Sequence, residues 1–344
     1  MKLDRQTAAF LAAGKDNPPL YELAVDAARA ALTEISRVAG VPKVEVARFA
    51  QRKVPGPAGP VPVRLYWPRK GAAAKDLPIL VFFHGGGFAL GSAATHDDIC
   101  RFLCANAKAI VVNVDYRRSP ENKFPAAPED CYAVLCWAAR EAKKLGGNAE
   151  RIAVAGDSAG GNLAAAVSLM ARDRKGPELA CQVLIYPVVE MDAAVDTPSR
   201  LRYGGGEYFL SRKDMAWLTG MYAAGKKDLK NPYLSPILAA SLKDLPPALV
   251  ITAGFDPLCD EGKLYADRLA KAGVATTYRN FAGTIHGFVS FGGVLDVGKQ
   301  ALALIGRHLA KHLGRTRAKS KIAPAKAAPK KRAVRARKTA RRTK

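Results

Sequence analysis

The sequence predicts an α/β fold built on a mostly parallel, doubly wound sheet. Five short apolar runs carry most of that expectation: Ile79–Phe83, Ala109–Val114, Ile152–Ala155, Gln182–Tyr186 and Ala248–Thr252. Each is dense in β-branched residues and shows little polar alternation, as strands buried on both faces do. Amphipathic stretches of helical length, such as 128–145, 159–173 and 260–272, lie between them. Strand and helix in alternation build a parallel sheet covered on both faces. Composition allows it: 49% of the 344 residues are apolar and 8% aromatic, enough for a sizeable core. A wholly disordered chain is excluded. No stretch reaches the roughly 18 uninterrupted apolar residues of a membrane span.

From the N-terminus, residues 1–40 read as two helices split by Asn17-Pro18-Pro19, with Asn17 as N-cap of the second and the prolines in its first turn. Asp4 and the lack of an apolar h-region argue against a secretory signal, so a cytoplasmic location is expected. Residues 44–67 read as two strands joined by a Pro/Gly turn. Residues 190–232 break the strand–helix rhythm with a loop-like YGGGEYF stretch and then a helix over 212–223. This insertion and residues 1–40 are expected to form a cap over the C-terminal edge of the sheet, where open α/β folds bind ligands. The catalytic domain is therefore expected over 41–314. Six cysteines are scattered without CxxC or zinc-ligand spacing and read as reduced core thiols, so no metal is expected.

Charge sets the last segment apart. Residues 315–344 hold 14 Lys and Arg and no Asp or Glu, which leaves the first 314 with 40 basic and 30 acidic residues. The segment has no aromatic residue and is rich in Lys, Ala and Pro, so it should be a disordered basic tail, with the fold ending near Gly314. Its charge fits nonspecific binding of a polyanion such as nucleic acid or polyphosphate.

Gly156-Asp157-Ser158-Ala159-Gly160 fits G-x-S-x-G, between the strand RIAVA and a helix. In that setting a sharp turn lifts the serine out of the sheet edge, and the helix N-terminus puts free N–H groups and partial positive charge beside it. His84-Gly85-Gly86-Gly87-Phe88 follows the strand PILVFF. Three glycines there leave backbone N–H groups approachable by a developing oxyanion, and His84 reads as a structural prop for the loop. A serine nucleophile needs a base and an orienting carboxylate, in the order Ser, Asp/Glu, His. Three histidines follow Ser158. His308 and His312 sit in the last periodic helix and read as exposed helix residues. His286 lies in the Gly-flanked stretch AGTIHGFVSF and reads as a mobile, accessible imidazole. The loop after ALVIT reads AGFDPLCDEG and offers Asp256 first. Asp260 and Glu261 fall where acidic residues cap a helix, so Asp256 is the expected triad acid.

On HGGGF at 84–88, GDSAGGN at 156–162, DPLCDEG at 256–262 and IHGF at 285–288, the chain resembles the hormone-sensitive lipase family of α/β-hydrolases, its bacterial esterase branch. YPV at 186–188 and VPGPAGPVPVRLYWP at 54–68 match as well, so the resemblance runs from about residue 4 to 313. It implies an α/β-hydrolase fold with a helical cap. It also implies a serine carboxylesterase for short to medium acyl esters that needs no cofactor. Carried over, the oxyanion donors are Gly86, Gly87 and Ala159, with Gly85 as the alternative. Family members that serve as hormone receptors lack the catalytic His, and dehydratases carry Thr for the nucleophile; His286 and Ser158 point away from both. The resemblance does not extend to the tail.

Overall fold

A computed structural model describes residues 2–71 and 75–314. The expected disordered tail, 315–344, lies outside the described residues. In chain order the elements are α1 (Arg5–Ala13), α2 (Val25–Ala39), β1 (Arg48–Gly56), β2 (Gly59–Trp67), β3 (Leu77–Phe83), α3 (Asp97–Ala107), β4 (Ile110–Val114), α4 (Ala126–Arg140), α5 (Ala142–Leu145), β5 (Gly147–Asp157), α6 (Ala159–Asp173), β6 (Cys181–Ile185), α7 (Pro198–Tyr203), α8 (Arg212–Tyr222), β7 (Ala248–Phe255), α9 (Cys259–Lys271), β8 (Thr276–Ile285) and α10 (Asp296–Leu313). One eight-stranded sheet runs β1-β2-β4-β3-β5-β6-β7-β8. The β1–β2 and β2–β4 pairs are antiparallel, and β3 to β8 pair in parallel.

The five apolar runs all become strands, and every residue of β3, β4, β6 and β7 is buried. Alternation along them feeds two cores. Ile79, Val81 and Phe83 join the layer that holds Val134 and Leu163. Leu80 and Phe82 join the layer that holds Leu103, Ile305 and Leu309. The sheet is thus covered by helices on both faces, as the lack of polar alternation requires. All six cysteines are free thiols, but Cys136 and Cys259 are only partly buried, so the core reading holds for the other four. Among the described residues no helix is long and apolar enough to cross a membrane.

Some expectations change. Asn17 does not cap a helix. Its N–H donates to Gly14 O at 3.1 Å in a turn. A single 3-10 turn, Leu20–Glu22, follows Pro19, and α2 starts only at Val25. Two prolines without N–H groups hold this stretch extended, which delays the helix. The long helix expected over 128–145 breaks at Glu141 into α4 and α5. The insertion contains an unexpected short helix, α7, capped by the Thr197 side chain on Arg200 N. Its other helix, α8, starts with a capping box between Ser211 and Asp214.

The largest correction concerns Glu261. It lies in the first turn of α9, as expected, but instead of a simple capping charge it is the buried partner of Arg200, the largest fully buried side chain. Arg200 Nε and Nη2 donate to Glu261 Oε2 at 3.0 and 2.6 Å, while Nη1 and Nη2 also reach the carbonyls of Asp192, Val195 and Glu190. Glu261 Oε1 accepts from the amides of Val189 and Glu190. One ion pair therefore pins the start of the insertion to the first turn of α9. Breaking a buried pair strands the remaining charge, so Arg200→Met is expected to cost about 3–5 kcal/mol. Chemical denaturation of the variant checks this; a loss below about 1 kcal/mol, the range of exposed pairs, would contradict it.

The N-terminal segment and the insertion meet above the sheet. Tyr21 N donates to Asp214 Oδ1 at 3.1 Å. Leu20, Leu23 and Leu32 share an apolar cluster with Trp217, Leu218 and Met221.

Candidate active site

Ser158 occupies the one-residue turn between β5 and α6, with φ +56° and ψ −116°. A non-glycine residue there is strained by about 1–3 kcal/mol and persists only where its surroundings fix it. Ser158 N donates to Ile185 O at 2.8 Å, and Ser158 O accepts from Asn162 N at 3.0 Å. The flanking glycines are obligatory for close approach. A Cβ on Gly160 would overlap the carbonyl oxygen of Phe83, and one on Gly156 the carbonyl oxygen of Gly160. The G-x-S-x-G pattern is thus a packing requirement where α6 crosses β3.

Three strand ends bring three side chains together. His286 Nε2 lies 2.8 Å from Ser158 Oγ, and His286 Nδ1 lies 2.8 Å from Asp256 Oδ2. Asp256 is fully buried just past β7, and its Oδ1 accepts from Leu258 N at 2.9 Å. His286 sits in a turn, as expected, but it is not the accessible imidazole expected. β8 runs on to Ile285, which makes His286 the next residue, and it is only 6% exposed. The Tyr186 ring, from the YPV stretch, lies against it with centroids 4.8 Å apart. Packing therefore supplies the orientation that a free loop could not.

The competing side chains lie elsewhere. His308 is on α10 and, contrary to expectation, is buried; burial pushes its pKa down to about 4. Its ring faces that of His312, 4.4 Å away. Asp260, in the first turn of α9, accepts from Ser199 N at 2.7 Å.

The glycine loop sits directly below the serine. His84 is wholly buried, its ring stacked on Tyr116 at 4.1 Å and its Nδ1 2.9 Å from Gly85 O. Burial, helped by nearby His96, pushes its pKa down to about 4, so it stays neutral near pH 7. Gly85, one of the expected donors, has its N–H committed to Asp157 Oδ1 at 2.9 Å. Among the described residues, no partner occupies the N–H groups of Gly86, Gly87 or Ala159. Ala159 opens α6, so its amide is one of the unsatisfied donors of a helix N-terminus.

Sequence reasoning missed the support for this loop. Asp157, the variable residue of G-x-S-x-G, is buried and binds both Gly85 N and His96 Nε2, the latter at 3.1 Å. Burial works to raise its pKa, but His96, His84 and the Gly85 amide outweigh it and hold the carboxyl below its usual range. An acidic residue beside the serine was the available signal. Nothing in the spacing marks His96. Among the described residues no group of three or more His, Cys, Asp or Glu side chains is arranged to hold a metal ion.

A family model described as the alpha/beta hydrolase fold matches residues 80–290. The chain is 40% identical over 279 residues to the esterase LipI of Mycobacterium tuberculosis, covering 80% of this chain and 85% of LipI. It is 40% identical over 267 residues to an arylesterase of Saccharolobus solfataricus, covering 77% and 84% of the two chains. Among solved structures, a hyperthermophilic esterase from the archaeon Pyrobaculum calidifontis superposes with a TM-score of 0.86 at 42% identity, covering 90% of this chain and 99% of that one.

Proposed function

The chain belongs to the hormone-sensitive lipase family of α/β-hydrolases and is a carboxylic ester hydrolase, and from that premise we propose that it cleaves short to medium acyl esters through an acyl-enzyme on Ser158. The observation that carries this reading is the relay of two 2.8 Å contacts from Ser158 through His286 to Asp256. His286 takes the Ser158 proton at Nε2 as Oγ attacks the ester carbonyl. The charge on the resulting tetrahedral oxygen is met by the N–H groups of Gly86, Gly87 and Ala159. One such donor is worth roughly 10²–10³ in rate in a comparable hydrolase. His286 then passes its proton to the leaving alcohol. Water gives a proton to His286 as its oxygen attacks the acyl carbon, and the acid leaves as the bond to Ser158 Oγ breaks and Oγ takes that proton back from His286 Nε2. Asp256 holds the Nδ1 proton throughout and stabilises the imidazolium.

Residues 1–40 and the insertion at about 190–232 act as a cap that shapes the acyl pocket. Leu218 of α8 lies where a Cβ on Gly87 would be, which places an apolar wall beside the donor loop. Turnover of p-nitrophenyl acetate and butyrate in the presence of a chelator tests the reading, with mass spectrometry after a fluorophosphonate. Labelling of Ser158 with matching loss of turnover is expected; labelling elsewhere would sink the nucleophile assignment.

A second reading is favoured by one observation, the 14 Lys and Arg without a single acid in 315–344. This segment tethers the enzyme to polyanions, blind to sequence because it has no aromatic residue to stack on bases. Full-length protein should retain duplex DNA on a filter, with log affinity falling against log salt at a slope of about −5 to −7 if six to eight charges engage. The 1–314 protein should not. Equal, negligible retention by both would refute the tether.

A further inference from the structure

We propose that Arg29, on the N-terminal helix α2, is a positioning residue for ester hydrolysis, holding the backbone just past the glycine loop so that the Gly86 and Gly87 amides stay aimed at the oxyanion. The proposal rests on the reading that those amides receive the oxyanion.

The loop is in an unusual conformation. Gly86, Gly87 and Phe88 have φ of +103°, +58° and +61° in succession. For a bulky residue such as Phe88 this is strained, and a run of left-handed residues keeps its shape only when outside contacts fix it. Inside the loop, Ala89 N and Leu90 N both donate to Gly86 O, at 3.0 and 2.8 Å. Three of the carbonyls that follow, those of Phe88, Ala89 and Gly91, are held from outside by bonds of 3.0 Å or less. Phe88 O accepts from Ser119 N at 3.0 Å, and Gly91 O from Arg118 Nη1 at 2.9 Å. Ala89 O accepts from Arg29 Nε at 2.9 Å. Two of these ties come from residues 118–119. The third comes from the N-terminal segment.

Arg29 does more than hold one carbonyl. Its Nη2 donates to Ser119 O at 2.9 Å, so one guanidinium joins Ala89 to the residue that restrains Phe88. Both terminal nitrogens fork onto Glu121 at 2.8 Å each. Nη1 also reaches Asp26 at 3.3 Å. This set of donors in one plane is what a guanidinium offers and an ammonium does not. One turn along α2, Leu32 lies against Gly86, 3.3 Å from where a Cβ would sit, and Ala28 on the same face is fully buried. The face of α2 that carries Ala28, Arg29 and Leu32 is therefore moulded to the loop. A shift of about 1 Å in catalytic groups can cost up to about 10²-fold in rate, so a tie two residues from Gly87 acts on turnover.

The test compares wild type, Arg29→Gln, Arg29→Lys and Glu121→Gln as full chains, well below their melting temperatures. It measures kcat and KM on p-nitrophenyl butyrate. It also measures inhibition by an alkyl trifluoromethyl ketone, which adds to the serine as a charged tetrahedral adduct, against the matching methyl ketone. Arg29→Gln should lower kcat by about 10- to 10²-fold with KM changed less than about 3-fold, and should weaken the trifluoromethyl ketone by a similar factor. Arg29→Lys should not restore either. Glu121→Gln, which leaves the guanidinium in place with a weaker hold, should show a smaller split in the same direction. It serves alone if Arg29→Gln does not fold. Unchanged kcat and unchanged inhibition in folded variants, with only a lower melting temperature, would overturn the proposal. So would a fall in kcat with undiminished trifluoromethyl ketone affinity. Failure of the underlying reading looks different: wild type itself would bind the trifluoromethyl ketone no more tightly than the methyl ketone.

Discussion

Replacing Ser158 by Ala is expected to lower ester turnover by roughly 10⁴ or more, the range for loss of a triad member. The hydroxyl is the group that meets His286 Nε2. The residual rate should come from the oxyanion donors and substrate binding, which do not depend on Oγ. The fold should survive. The turn is held by backbone contacts, Ser158 N to Ile185 O and Asn162 N to Ser158 O, and alanine makes both. The strained φ of +56° costs alanine about what it costs serine. Initial rates on p-nitrophenyl butyrate, with circular dichroism to confirm structure, decide it. Full activity in a folded variant would remove Ser158 from the mechanism.

What the sequence made legible follows from which forces are local. The buried strands announced themselves because a strand covered on both faces has no room for polar alternation, and β3, β4, β6 and β7 are apolar almost end to end. The turn at Ser158 was legible because only glycine fits at 156 and 160, where side chains would strike the Phe83 and Gly160 carbonyls. What stayed hidden are polar pairs made across the fold. Arg200 and Glu261 are 61 residues apart in sequence and meet in a dry interior, yet each alone looks like a surface charge. Asp157, Gly85 and His96 form a similar cluster, joined only when β5 lies beside β3. His286 was expected to be accessible because Gly283 and Gly287 flank it; it does sit in a turn, but β8 pairs with β7 as far as Ile285 and the imidazole is buried. Charge and glycine content are local signals, and tertiary contacts override both.

Asp256→Asn should cut turnover by roughly 10⁴, while Asp260→Asn should leave it nearly intact. The hydrogen bonds explain the first effect. Asp256 Oδ1 accepts from Leu258 N, and Oδ2 faces His286 Nδ1. An asparagine keeps the acceptor on Leu258 and so turns its NH₂ towards His286. That NH₂ can only donate, so Nδ1 must become an acceptor and the ring proton moves to Nε2, facing Ser158 Oγ. The imidazole then has no lone pair with which to take the serine proton. Because the bond to Leu258 survives and the side chains are the same size, the loop should keep its shape. Asp260 differs in place and in consequence. Its Oδ2 accepts from Ser199 N at 2.7 Å, a bond an asparagine oxygen can keep. What is lost is a negative charge in the first turn of α9, worth about 0.3–1 kcal/mol of stability. Parallel rate and melting measurements on the two variants separate these effects. A large rate loss in Asp260→Asn with a silent Asp256→Asn would show that the other carboxylate orients the base.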